Sequence, residues 1–151
     1  MTQNLWNFVF SVFFFAVLGG AVCMVGQVQG FYPTSIPPFD VLLIAFASLR
    51  ITRLLVYDKI AQWLRDLFAG SREGTFRHTV ADLLACPWCI GFWGALVATT
   101  AYFTVPWAWF VILFLALAGM GSLLQVLANA LGWHAENLKL DAKEHQRDLR
   151  L

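Results

Sequence analysis

Cys86-Pro87-Trp88-Cys89 is the stretch of this 151-residue chain whose residue types and spacing could carry covalent chemistry. Two thiols three residues apart can bridge, and beside a βαβ pattern this spacing reads as a thioredoxin-like redox motif. No such pattern surrounds it here. If Pro87 opens a helix, Cys86 falls at the N-terminus, where the helix dipole favours a thiolate. The pair could also supply part of a zinc site, but zinc takes four ligands and only His78 and Asp82 lie nearby in sequence. The third alternative is structural. Proline then sets a corner, Trp88 and Trp93 anchor at headgroup level, and the thiols pack as small apolar groups. Cys23 lies toward the opposite end of its own apolar stretch and cannot pair with them. No cofactor is implied. His134 and His145 fall in a charged tail, where they are expected to be solvated.

The second group with chemical content is Arg50 and Arg53, which interrupt an otherwise apolar segment. At 1.5 Å per residue, Arg50 sits about 18 Å along a helix starting near Pro38. Long cationic side chains at such a depth either snorkel to the headgroups or pair with a carboxylate. Asp58 and Asp82 are the available acids. Snorkelling is the default expectation; in the pairing alternative Asp82 is the hypothesised partner, which would lock the second long helix to the third.

These residues need elements to position them, and composition says what kind. The chain is 60% hydrophobic and 13% charged, with a mean hydropathy of +0.68. Soluble domains carry about 45–50% apolar and about 25% charged residues. A chain this short cannot enclose that excess, which argues against a water-soluble globule, a disulfide-stapled secreted fold and disorder. A formal charge of +1 implies no nucleic-acid partner. The expected class is an all-α membrane protein.

A membrane span needs about 20 mostly apolar residues. Residues 5–28 lack any Asp, Glu, Lys or Arg, and 38–57 form a second candidate. One uncharged run, 83–135, is too long for a single span. Val105-Pro106-Trp107 divides it, because proline has no amide to donate and stops the preceding helix. Pro106 then suits the first turn of the next helix. The sequence therefore predicts four spans, about 5–28, 38–57, 87–104 and 106–131, as one domain over 1–135, with a charged tail at 136–151. The first span has no basic n-region and reads as a retained anchor rather than a signal peptide.

Lys and Arg accumulate on the cytoplasmic side of membrane proteins. The connection containing Arg50, Arg53, Lys59, Arg65, Arg72 and Arg77 and the tail with Lys139, Lys143, Arg147 and Arg150 are the basic segments. Four spans put both on one side, with both termini cytoplasmic in a bacterial inner membrane. Within the connection, Ile60, Trp63, Leu64, Leu67 and Phe68 form one stripe at helical spacing. This predicts an amphipathic helix over 59–69, lying in the membrane interface or packed on the bundle. Thr79 to Asp82 has capping-box spacing and is expected to start another helix.

Inside lipid, helices associate through close packing and polar contacts rather than hydrophobic drive. Small-residue faces are available on every span: Gly19, Gly20, Cys23 and Gly26; Ala45, Ser48 and Thr52; Gly91, Gly94, Ala95 and Ala98; and Ala118, Ser122, Gln125 and Asn129. Gln125 and Asn129 are expected to hydrogen-bond across helices. A proton relay lacks its usual carboxylates along the spans.

Ser48-Leu49-Arg50-Ile51-Thr52-Arg53-Leu54, with Tyr57-Asp58-Lys59 after it, resembles the opening of a bacterial membrane family known only as domain-of-unknown-function thirteen-sixty. Leu84 to Trp93, which contains the thiol pair, is similar to its second signature. The resemblance covers roughly residues 39–131 and leaves out the first span and the tail. It implies that the arginines, Asp58 and the thiols belong to one shared unit. The family has members linked to sporulation and members carried by phages, and it supplies no activity.

The expected function is a non-enzymatic assembly or accessory module that packs with copies of itself or with a larger membrane complex. The alternatives are a phage-type holin, which oligomerises into a membrane lesion, and a membrane thiol oxidoreductase using Cys86 and Cys89.

Overall fold

The computed structural model describes residues 3–33 and 35–148, with side chains described up to residue 140. The tail residues Lys143, Glu144, His145, Arg147 and Arg150 lie outside the described side chains. Among the described residues the fold is entirely helical: α1 (Gln3–Gln29), α2 (Pro38–Val56), a 3-10 turn (Lys59–Ala61), α3 (Gln62–Phe68), α4 (Phe76–Ala85), α5 (Pro87–Thr104) and α6 (Ala108–Asp148). Two helices, Gln3–Gln29 and Ala108–Leu140, are long and apolar enough to cross a membrane, and a third crossing arises if α4 and α5 count as one bent span. The segment α2 has less of this character because Asp40, Arg50 and Arg53 interrupt it.

The chain divides into two compact units, one ending at Gly119 and the other beginning at Met120. The core of the first unit centres on α2. Leu43, Ile44 and Ala47 are buried with Ala98 of α5 and with Ala108, Ile112 and Ala116 from the opening turns of α6. Small residues let these backbones approach. A Cβ on Gly94 would stand 3.2 Å from the Ser48 carbonyl oxygen, and one on Gly91 would lie 3.8 Å from Thr52 Oγ1. The Ser48 hydroxyl donates to the Gly91 carbonyl at 3.3 Å, while Thr52 Oγ1 donates back to the Ser48 carbonyl. Ala95, on the same predicted small-residue face, is exposed and does not join the α2 core. Gly119 has the tightest fit of all: a Cβ there would collide with the Phe46 carbonyl of α2.

By contrast, α1 packs through rings. Phe14 meets Trp93 edge-on with centroids 5.0 Å apart, and Phe13 lies 5.9 Å from the same indole. Trp6 and Phe10 both rest on Phe76 at the start of α4. Among the described residues Gly19 and Gly20 have nothing within 4 Å, whereas a Cβ on Gly26, on the same predicted face of α1, would collide with the Tyr32 ring of the following loop. The side of α1 turned to α5 is the one carrying Phe10, Phe14, Leu18, Ala21 and Val25, and Gly19 and Gly20 lie on its other side. Polar contacts fix the two ends of α1. Gln3 donates to Thr79 Oγ1 at 2.9 Å and accepts from the Gly74 amide at 2.8 Å, whereas Gln29 donates to the Phe103 carbonyl.

Several element boundaries differ from the sequence expectation. The helix expected from Thr79 begins at Phe76, because Thr75 caps it by accepting the His78 amide at 3.3 Å. The predicted 59–69 helix is a 3-10 turn followed by α3 and ends before Gly70, whose φ of +69° suits glycine. Its apolar stripe divides: Leu64 and Phe68 are half-buried, while Ile60, Trp63 and Leu67 are exposed. The segment α6 starts at Ala108, two residues after Pro106. In the second unit Gln125 and Asn129 are exposed, not buried, and Gln125 donates to Asn129 Oδ1 one turn along its own helix at 3.1 Å. Ser122 is half-buried.

Candidate functional site

Pro87 has no amide to continue α4 and disfavours helical geometry at the residue before it. Cys86 accordingly adopts φ −98°, ψ 104°, and the axes of α4 and α5 meet at 86°. This conformation puts the Cys86 sulfur where an N-cap side chain belongs, and it accepts the Cys89 amide at 3.3 Å. The Cys89 side chain also hydrogen-bonds to Cys86. That contact, followed by the bond from the Cys89 amide, holds the Cys86 thiol below its ordinary range. Cys86 precedes the first residue of α5, at the edge of the apolar helix. Both cysteines are free and half-buried; Cys23 is exposed on α1.

The thiol corner opens into the space the aromatic contacts leave between α1 and α5. This is a groove of about 1090 Å³. Phe10, Phe14, Leu18, Val22 and Val25 form one wall; Phe92, Trp93, Leu96 and Phe103 form the other. Asn7, Ser11, Thr79, Asp82, Cys86 and Cys89 line it where α1 and α5 begin. The groove is therefore mainly apolar along its middle, polar at the thiol end, with Thr99, Thr100 and Tyr32 toward the other end.

Among the described residues no group of three or more His, Cys, Asp or Glu side chains converges. His78 is turned to other partners: its Nδ1 lies 3.2 Å from the Ser71 carbonyl and its Nε2 3.6 Å from Asp82 Oδ2.

The ion pairing also differs from expectation. Arg50 Nη2 meets Asp58 Oδ2 at 2.8 Å, while Asp82 stands beside His78, four residues earlier on α4. Backbone geometry explains the choice. The end of α2 at Val56 turns Asp58 back toward Arg50, and Arg65 holds that turn by donating to the Leu55 and Asp58 carbonyls at 2.6 and 2.9 Å. Arg53 lies over the Tyr57 ring at 5.6 Å, with its buried Nε lacking a hydrogen-bond partner. Sequence reasoning missed one polar link. Tyr102 Oη donates to Asp40 Oδ2 at 2.5 Å and joins the end of α5 to the start of α2. The signal was one acid in the first turn of an apolar segment with no partner nearby in sequence.

The family profile described as Protein of unknown function (DUF1360) matches residues 43–128. The chain belongs to this family. DUF1360 therefore takes in the α2 core, the Arg50–Asp58 pair, the thiol corner, α5 and the start of α6. Similar chains include sporulation protein YjcA of Bacillus subtilis (strain 168), 32% identical over 59% of this chain and 90% of that protein. Another is UPF0713 protein YngL of the same organism, 28% identical over 56% of this chain and 74% of that one. No solved structure matches. The matched DUF1360 region supplies the α4–α5 wall of the groove, whereas α1, the facing wall, lies outside it.

Proposed function

We propose that this chain is a module of a bacterial inner membrane that crosses it four times, keeps both ends inside, and works as an accessory subunit assembled with its own copies or a larger membrane complex. The observation that carries this reading is the alternating direction of the long helices. The start of α1 meets α4 through Gln3 and Thr79, its end meets the end of α5 through Gln29 and Phe103, and the start of α2 meets the end of α5 through Asp40 and Tyr102. That order gathers Arg50, Arg53, Lys59, Arg65, Arg72 and Arg77 toward one end, as the cytoplasmic preference of basic residues requires. Two of the charges that interrupt α2 are engaged, Asp40 by Tyr102 and Arg50 by Asp58, which supports counting it as a span. The exposed apolar side chains of Ile60 in the 3-10 turn and of Trp63 and Leu67 in α3 support an interfacial position for that segment. The outward faces of Gly19, Gly20, Gln125 and Asn129 are the surfaces offered for assembly. One relative's name gives sporulation as a setting in which to look for the phenotype.

Labelling intact cells with a thiol reagent that cannot cross the membrane tests the topology. Cys86 and a cysteine placed in the tail should stay unlabelled until the cells are opened; labelling of either from outside overturns the reading. Native mass spectrometry from membranes should then find more than one chain per particle. Abrupt collapse of membrane potential on expression would instead favour the holin.

A second reading rests on the thiol corner: Cys86 and Cys89 act within this module as a reversible dithiol–disulfide couple. Their mutual contact at the mouth of an apolar groove supports it.

A further inference from the structure

A dithiol couple needs a two-electron partner, and the surroundings of Cys86 and Cys89 restrict what that partner can be. The two cysteines lie on the wall of the groove, not on a water-facing cleft alone. The groove lining extends on α5 from Cys89 to Phe103, about 21 Å at 1.5 Å per residue. On α1 it extends from Asn7 to Val25, about 27 Å by the same rise. Its 1090 Å³ lies just above the range of about 300–1,000 Å³ common for small-molecule sites. Phe10, Phe14, Phe92 and Trp93 place flat rings in the half nearer the thiols, Leu18, Val22, Val25 and Leu96 follow, and Tyr32, Thr99, Thr100 and Phe103 line the far end. A molecule with a flat head and a long apolar tail fits the thiol half and the stretch beyond it, because aromatic faces stack on flat rings and Leu18, Val22, Val25 and Leu96 offer hydrocarbon to the tail.

We propose that the groove holds a lipid-soluble quinone, ring toward Cys86 and Cys89 and tail along α1 and α5, and that the dithiol reduces it. This rests on the dithiol reading above. The reaction balances without a further reagent. Both S–H bonds break and one S–S bond forms; the two electrons and two protons released go to the quinone, whose carbonyl oxygens become the hydroxyls of a quinol. Cys86, partly exposed at the corner, is the sulfur open to exchange with a dithiol from the water side, which resets the pair.

The test uses the full chain in nanodiscs, reduced, anaerobic and with a chelator present. The probe is a benzoquinone with a fully substituted ring and a decyl tail, so that thiols cannot add to an open ring position. Quinol is read by ultraviolet absorbance and free thiols by titration, with diamide as a water-soluble oxidant in parallel. The expected result is one quinol for each pair of thiols lost, abolished in Cys86→Ser and in Cys89→Ser. Ala95→Trp, at an exposed position lining the groove, should slow quinone reduction by at least about tenfold by displacing the ring, with diamide oxidation unchanged. If diamide forms no Cys86–Cys89 disulfide, the dithiol reading itself fails. If diamide succeeds and the quinone stays oxidised, or Ala95→Trp reduces it as fast as the parent chain, the quinone inference alone is overturned.

Discussion

Gly94 of α5 lies directly against the backbone of Ser48 in α2: a Cβ at position 94 would stand 3.2 Å from the Ser48 carbonyl oxygen and 3.3 Å from its hydroxyl. This close approach of α5 to α2 therefore depends on the absence of a side chain. Gly94→Leu should destabilise the protein by about 1–3 kcal/mol, the usual cost of overfilling a packed interface. Gly19→Leu, with nothing within 4 Å, should leave stability almost unchanged. Thermal unfolding in detergent, followed by circular dichroism, compares the two.

The Arg50–Asp58 pair makes a second prediction, and it reverses the sequence expectation. Both side chains are roughly three-quarters shielded, at 24% and 28% exposure, so the loss should fall between a surface pair and a fully buried one. Asp58→Asn is expected to cost about 1–2 kcal/mol. Asp82→Asn removes only a 3.6 Å contact from a 60% exposed carboxylate and should cost under about 0.5 kcal/mol. Folded yield and unfolding midpoint check the order.

Tyr102→Phe removes the hydroxyl that joins α5 to Asp40 while preserving the ring. Hydrogen bonds between membrane helices contribute about 0.6–1.7 kcal/mol, and the variant should lose stability within that range. Asp40→Asn combined with Tyr102→Phe should cost less than the sum of the single changes, since the two groups share one contact. A double-mutant cycle on unfolding provides the measurement.

The thiol corner makes a prediction in pH. Bonds from the Cys89 side chain and amide lower the Cys86 thiol, and the thiolate is the form that reacts. Alkylation of Cys86 by iodoacetamide should therefore reach its plateau at lower pH than alkylation of an unstructured cysteine peptide. In Cys89→Ala the first of these bonds is lost, and the midpoint should move up. Rate against pH, read by mass spectrometry, decides it; coincident profiles would remove the effect.

How much was legible beforehand follows from the range of each interaction. The helical class, the corner at Pro87, the break at Pro106 and the family resemblance were all readable, since each depends on composition or on a few adjacent residues. A proline's missing amide acts on its immediate neighbours wherever the chain goes. Partner choice was not readable in that way. Arg50 had two acids within reach along the sequence, and the turn after Val56, fixed by Arg65, selected Asp58. Glycines at 19 and 94 looked alike as letters, yet Gly94 packs against the Ser48 backbone and Gly19 against nothing within 4 Å, because α1 turns a different, ring-bearing side to α5. The link from Asp40 to Tyr102 and the groove beside the thiols join residues far apart in the chain, and such arrangements exist only once the helices have chosen their faces.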